Sequence, residues 1–124
     1  MKKYIFSLIA VVAIGLFYGC DQSDQASTDE IKIGVILGFT GPIESLTPTM
    51  ASSAELAMKE VSDSGLLLGG AKVSSVRADS TCVDAGAATS AAERLVTSDN
   101  VAAIMGADCS GVTTAIANNV AVPN

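Results

Sequence analysis

The chain is predicted to fold as a three-layer α/β structure, a parallel sheet flanked by helices, on two observations. Three short β-branched apolar runs alternate with three stretches of helical periodicity, and that alternation places strands in parallel with helices over both faces. The composition agrees: Ala, Val, Ser and Gly are abundant and aromatic residues make up only 4%, which suits helices packed closely on a sheet. A length of 124 residues leaves room for one small domain.

Residues 1–19 are read as an export signal and excluded from the fold. Met1-Lys2-Lys3 supplies the positive start, Tyr4 to Tyr18 an apolar run, and Gly19-Cys20 the processing site. The run is about fifteen residues, short of the roughly 20 that span a bilayer as a helix. The ending LFYGC resembles the lipobox of bacterial lipoproteins, which implies that Cys20 carries a thioether-linked lipid. Phe17 and Tyr18 stand where that pattern places Leu and a small residue. An uncleaved anchor, or a secreted chain with a free Cys20, is the alternative. Residues 20–30, largely polar, are read as a lipidated tether, and Asp21 resembles the signal that keeps lipoproteins on the inner membrane of enteric-type bacteria. The protein is therefore expected outside the cytoplasm, periplasmic or at the cell surface, held to the membrane by its lipid alone.

The first strand is expected over Ile31–Leu37, a β-branched run closing at Gly38, as in a strand buried on both faces. A helix should start at Thr47-Pro48, with Thr47 as cap and Pro48 in the first turn. Its inner face is read as Met50, Ala54, Ala57, Met58 and Val61, and Ser64-Gly65 ends it. Ala71–Ala78 is the second strand. Asp84 opens a second helix with Ala85, Ala88, Ala92, Leu95 and Val96 inward. Val101–Met105 is the third strand, and Ser110 caps a third helix with Val112, Ala115, Ile116 and Asn119 on one side.

Ligands of open α/β sheets bind at the carboxyl ends of the strands. Three segments should meet there: Gly38–Pro42, Asp79–Asp84 and Gly106–Gly111. The third places the Ser110 hydroxyl and free backbone amides at a helix amino terminus, which suits an anion such as a carboxylate. The other reading is that Ser110 only caps its own helix.

Several chemistries are disfavoured. The net charge is −6, and losing Lys2 and Lys3 with the leader deepens it by two; nucleic acid and anionic lipid both call for basic patches instead. There is no histidine, so neither the commonest general base nor the commonest metal ligand is present, and no metal or other cofactor is expected. Gly34, Gly38 and Gly41 are spaced G-x-x-x-G-x-x-G, not as a dinucleotide fingerprint. Cys109-Ser110-Gly111 lacks the register of a nucleophile elbow. An enzyme is not expected.

With Cys20 assigned to lipid, Cys82 and Cys109 remain, in two loops at one sheet edge. In an exported protein they are expected to pair, closing a loop of about 27 residues worth roughly 3.5 kcal/mol. Two buried free thiols are the alternative.

The stretches IKIGVILGFTGP, AELAMKEVSDSG, VRADSTCVDAGAATSAAERLV and VAAIMGADCSGVTTAIANNVAVPN resemble, in order and spacing, the amino-terminal part of branched-chain amino acid-type (leucine-binding-like) substrate-binding proteins of ABC importers. The resemblance implies a periplasmic binding protein of type I, two lobes closing on a solute, with residues 31–124 forming the first part of lobe I and the rest of the protein missing. It implies a Cys82–Cys109 disulfide, and a ligand α-carboxylate held by Ser110 with the backbone of Cys109 and Gly111. Leu46 falls near the place of an aromatic that packs on the ligand in leucine-type members, so the ligand need not be a branched-chain amino acid; related members bind amides, urea or aromatic acids. The expected role is a solute-binding lipoprotein that captures an amino acid or related small carboxylate or amide and delivers it to ABC permease subunits. The alternative is a ligand-sensing protein of the same fold that feeds a receptor or regulator.

Overall fold

The computed structural model describes residues 30–124. The leader, Cys20 and the tether up to residue 29 lie outside the described residues. Three parallel strands, β1 (Glu30–Leu37), β2 (Lys72–Asp79) and β3 (Ala103–Gly106), form a sheet in the order β2-β1-β3. Helix α1 (Thr47–Ser64) covers one face, while α2 (Ala85–Thr97) and α3 (Ser110–Ile116) cover the other. This is the three-layer arrangement read from the sequence. A short 3₁₀ turn, Leu67–Gly69, joins α1 to β2, and α3 runs on into a π turn over Ala117–Ala121. Among the described residues no helix is long and apolar enough to cross a membrane.

β1 is central, and its side chains serve both faces by strand alternation. Val35 and Leu37 pack with Ala51 of α1, whereas Ile36 packs with Leu95 of α2 and with Val112, Ile116 and Val120 beyond β3. Gly34 leaves room for α2: a Cβ there would lie 2.8 Å from Leu95 Cδ1. α2 is capped as expected, the Asp84 carboxylate accepting from Ala87 N at 2.9 Å. Its buried face is Ala88, Ala92 and Leu95, while Ala85, in the exposed first turn, is not part of it.

Four further expectations need correction. Thr47 is not a cap: α1 has no side-chain cap, and the buried Thr47 hydroxyl instead donates to Gly38 O at 3.0 Å. The inner face of α1 is also rotated from the one expected. Thr47, Ala51 and Ser62 are buried and Met58 is half-buried, while Met50, Ala57 and Val61 are exposed. Two hydroxyls with fixed partners outcompete the apolar stripe. Ser62 Oγ accepts from Val73 N at 2.8 Å and donates to Met58 O at 2.9 Å, so its burial costs little. β3 begins two residues late, because Val101 N and Ala102 N donate to Leu95 O and Lys32 O before the ladder starts. Past α3, Val120 is buried and Asn119 exposed; the wider π turn, closed by Val122 N to Ala117 O at 3.0 Å, carries the inward face one residue further.

Candidate functional site at the strand carboxyl ends

β1 leads into α1 on one face, whereas β3 leads into α3 on the opposite face. The chain therefore diverges after these two neighbouring strands, and the crevice beyond their carboxyl ends is a topological switch point, where open α/β sheets bind ligands. Gly106, the last residue of β3, lets the two strands meet at its base. Its φ is +124°, and a Cβ would lie 1.9 Å from Ile36 O.

The third loop, Ala107–Cys109, ends at an exposed Ser110. No side chain caps α3: Cys109 holds the N-cap position in an extended conformation. The reading of Ser110 as its own helix cap is thereby replaced, since Ser110 is the first helical residue. The first backbone bond of the helix runs from Thr113 N to Cys109 O at 2.9 Å. The amides of Ser110, Gly111 and Val112 precede it and have no intrahelical partner. A hydroxyl and a set of free donors thus stand together at the positive end of a helix.

Cys82 and Cys109 form a disulfide with their Cα atoms 5.2 Å apart, so the second and third loops are joined covalently and neither thiol is free. The second loop is locally constrained as well. Thr81 and Cys82 have φ of 57° and 70°, a left-handed conformation that non-glycine residues rarely adopt and that tends to gather at functional sites. Asp79 steadies it. Its carboxylate accepts from Thr81 N at 2.8 Å and from the Thr40 hydroxyl and amide at 2.5 and 3.3 Å. Partial burial alone would raise the pKa of Asp79, but these donors outweigh it and hold the carboxyl below its ordinary value.

Asp108 completes the arrangement, taking hydrogen bonds from Gly38 N and Ser80 Oγ. Neither Asp79 nor Asp108 was singled out from sequence. The available signal was an acidic residue at or just after a strand end followed by Ser, Thr or Cys, the pattern of side chains that fold back on turn amides. Leu46 lies at the entry to α1, 60% exposed; its amide donates to Ile43 O at 2.9 Å. The aromatic of the first loop, Phe39, packs against the α1-side cluster. Arg77 stands 5.5 Å above its ring and is paired with Glu55 at 2.7 Å.

Two concavities lie elsewhere. A groove of about 430 Å³ runs between α1 and β2, but its lysines are engaged, Lys59 by Asp63 and Lys72 by Ser62 O. An apolar groove of about 290 Å³ follows the free edge of β3. Among the described residues no group of three or more potential metal ligands is gathered.

A parallel α/β layer with a topological switch point between β1 and β3 belongs to a class of fold that houses small-molecule sites. The sequence profile of the periplasmic binding protein family matches residues 30–123, and the chain belongs to that family. It is 36% identical over 111 residues to the Leu/Ile/Val-binding protein homolog 7 of Brucella melitensis, and 38% identical over 112 residues to the homologue of Brucella abortus, covering 90% of this chain and 25% of each relative. The chain thus spans about a quarter of those proteins. Among solved structures it is similar to the branched-chain amino acid transporter substrate-binding protein LivJ of Streptococcus pneumoniae in complex with isoleucine, with a TM-score of 0.67 at 28% identity over 76% of this chain and 26% of that one. It is also similar to a solute-binding protein of an ABC transporter from R. palustris in complex with benzoate, with a TM-score of 0.60 at 26% identity over 72% of this chain and 24% of that one.

Proposed function

We propose that this chain forms one wall of the cleft of an exported solute-binding protein, which captures a small carboxylate-bearing solute such as an amino acid and hands it to an ABC importer. What supports the reading is the switch point between β1 and β3 with the uncapped α3 terminus beside it, where Ser110 and the backbone of Cys109 and Gly111 would clamp a carboxylate. The ligands of two similar proteins support it. Isoleucine and benzoate differ in almost everything except a carboxylate, the group a helix amino terminus and a hydroxyl would receive. The role is binding rather than catalysis, in keeping with the family.

In this reading the opposite wall belongs to the part of the relatives beyond the quarter matched here. Leu46 stands at the entry to the first helix, where it would border the solute's far end. Export depends on residues 1–19 and membrane attachment on a lipid at Cys20; mass spectrometry of the mature protein should find an acylated Cys20, and an unmodified thiol would remove the anchor.

The test of the clamp is calorimetry on the complete protein against amino acids, amides and small carboxylates. Ser110→Ala should weaken the best ligand by about 1–2 kcal/mol through the loss of one exposed hydrogen bond. Unchanged affinity would take Ser110 out of the site.

A further inference from the structure

Asp108 lies two residues before Ser110, and its carboxylate is committed to its neighbours. Oδ2 accepts from Gly38 N at 2.8 Å, and Oδ1 accepts from Ser80 Oγ at 3.3 Å. Both donors sit at the strand ends: Gly38 is buried, Ser80 is fully buried, and Ser80 N donates to Leu37 O at 2.9 Å. The first two strand ends are thus already fastened together, and Asp108 fastens the third loop to both. The disulfide joins only the second and third loops. Among the described residues the Asp108–Gly38 bond is the hydrogen bond that spans the switch point from the first loop to the third.

We infer that Asp108 is the positioning residue of the carboxylate clamp, setting the Ser110 turn against the first loop without touching the ligand. This rests on the solute-binding reading above. The residue type follows from the two donors. A carboxylate offers an acceptor to each, and its charge strengthens both bonds. Asn would preserve both contacts, its oxygen accepting from Gly38 N and its amide donating to Ser80 Oγ. Ala would leave the buried Gly38 amide without a partner.

The distinguishing experiment compares wild type, Asp108→Ala and Asp108→Asn in the complete protein. Hydrogen exchange should accelerate about tenfold or more over residues 37–40 and 106–113 in the Ala variant, which loses both hydrogen bonds to the carboxylate, and return close to wild type in the Asn variant. Calorimetry with L-isoleucine and benzoate as probes should show the Ala variant weakened about tenfold toward whichever probe wild type binds, and the Asn variant unweakened. Should Asp108→Ala fail to fold, Ser80→Ala removes one donor only and should loosen residues 106–113 to a smaller degree. Unchanged exchange would overturn the inference, as would loosened loops with wild-type affinity, which reduce Asp108 to a structural part. Failure of wild type to bind either probe would count against the solute-binding reading instead, while exchange still decides whether Asp108 holds the loop.

Discussion

On the face of the sheet covered by α2 and α3, Ile36, Leu95 and Val120 are wholly buried and Val112 nearly so. On the α1 face the buried apolar cluster is Val35, Leu37 and Ala51, and two of the three buried residues of α1 are Thr47 and Ser62. One face is held by apolar packing, the other by a smaller apolar cluster together with hydroxyls bonded to backbone groups at and beside the strands. Meanwhile Met50, Leu56 and Val61 of α1 stay exposed, at 45%, 58% and 42%. The difference matters for the site. The Ser110 turn grows out of the densely packed face, which would give the proposed clamp a rigid base, while the first loop is tethered by polar contacts that can break singly.

The largest expected effect is on the packed face. Leu95→Ala should cost about 4 kcal/mol in urea unfolding, as for a fully buried leucine whose cavity cannot collapse. Met58→Ala, on the α1 face and half-buried, should cost no more than about half of that; equal losses would erase the contrast. Next comes the covalent link between the second and third loops. Replacing Cys82 and Cys109 by Ser should lower stability by about 3.5 kcal/mol on the loop-closure account, and a loss below about 1 kcal/mol would show that packing of α2 and α3 already fixes those loops.

A smaller effect tests the polar face. Ser62→Ala should cost about 1–2 kcal/mol because it strands Val73 N, whereas Val61→Ala beside it, largely exposed, should stay within about 0.5 kcal/mol. Denaturation of both variants would reverse the reading of α1 if Val61 proved the costlier. The smallest effect concerns Asp79. Its folded pKa is lowered, so its contribution is fully present above the unfolded value of about 3.9 and is lost as pH falls through the folded value. The stability gap between wild type and Asp79→Asn should therefore hold from pH 7 to 5 and close below about pH 4. A gap that does not narrow as the pH falls below about 4 would mean that the Thr40 and Thr81 contacts do not depend on the charge.

The same two faces separate what could be read ahead of the structure from what could not. The alternation of β-branched runs with Ala-rich helices was enough for the parallel sheet, the layer order and the inward positions Ala88, Ala92, Leu95, Val112 and Ile116, because burial on that face is apolar and follows helical periodicity. The inward face of α1 was not legible. A periodicity count weighs Met50 and Val61 above Thr47 and Ser62, and it cannot know that Gly38 O and Val73 N wait opposite the two hydroxyls.

At the site, Ser110 and the cysteine pair were marked by local pattern: a hydroxyl at a helix start, and two cysteines in loops that a parallel sheet brings to one edge. By itself, then, the sequence determined the class of fold and the edge at which the loops gather, since both depend on periodicities and spacings along the chain, while the proposed clamp drew on the family resemblance as well. Only the tertiary structure decided that Ser110 is left uncapped, that α1 turns its hydroxyls inward, and that Asp108 spans the switch point to Gly38, 70 residues away. Such long-range polar contacts depend on the register between strands, and no local pattern encodes that register.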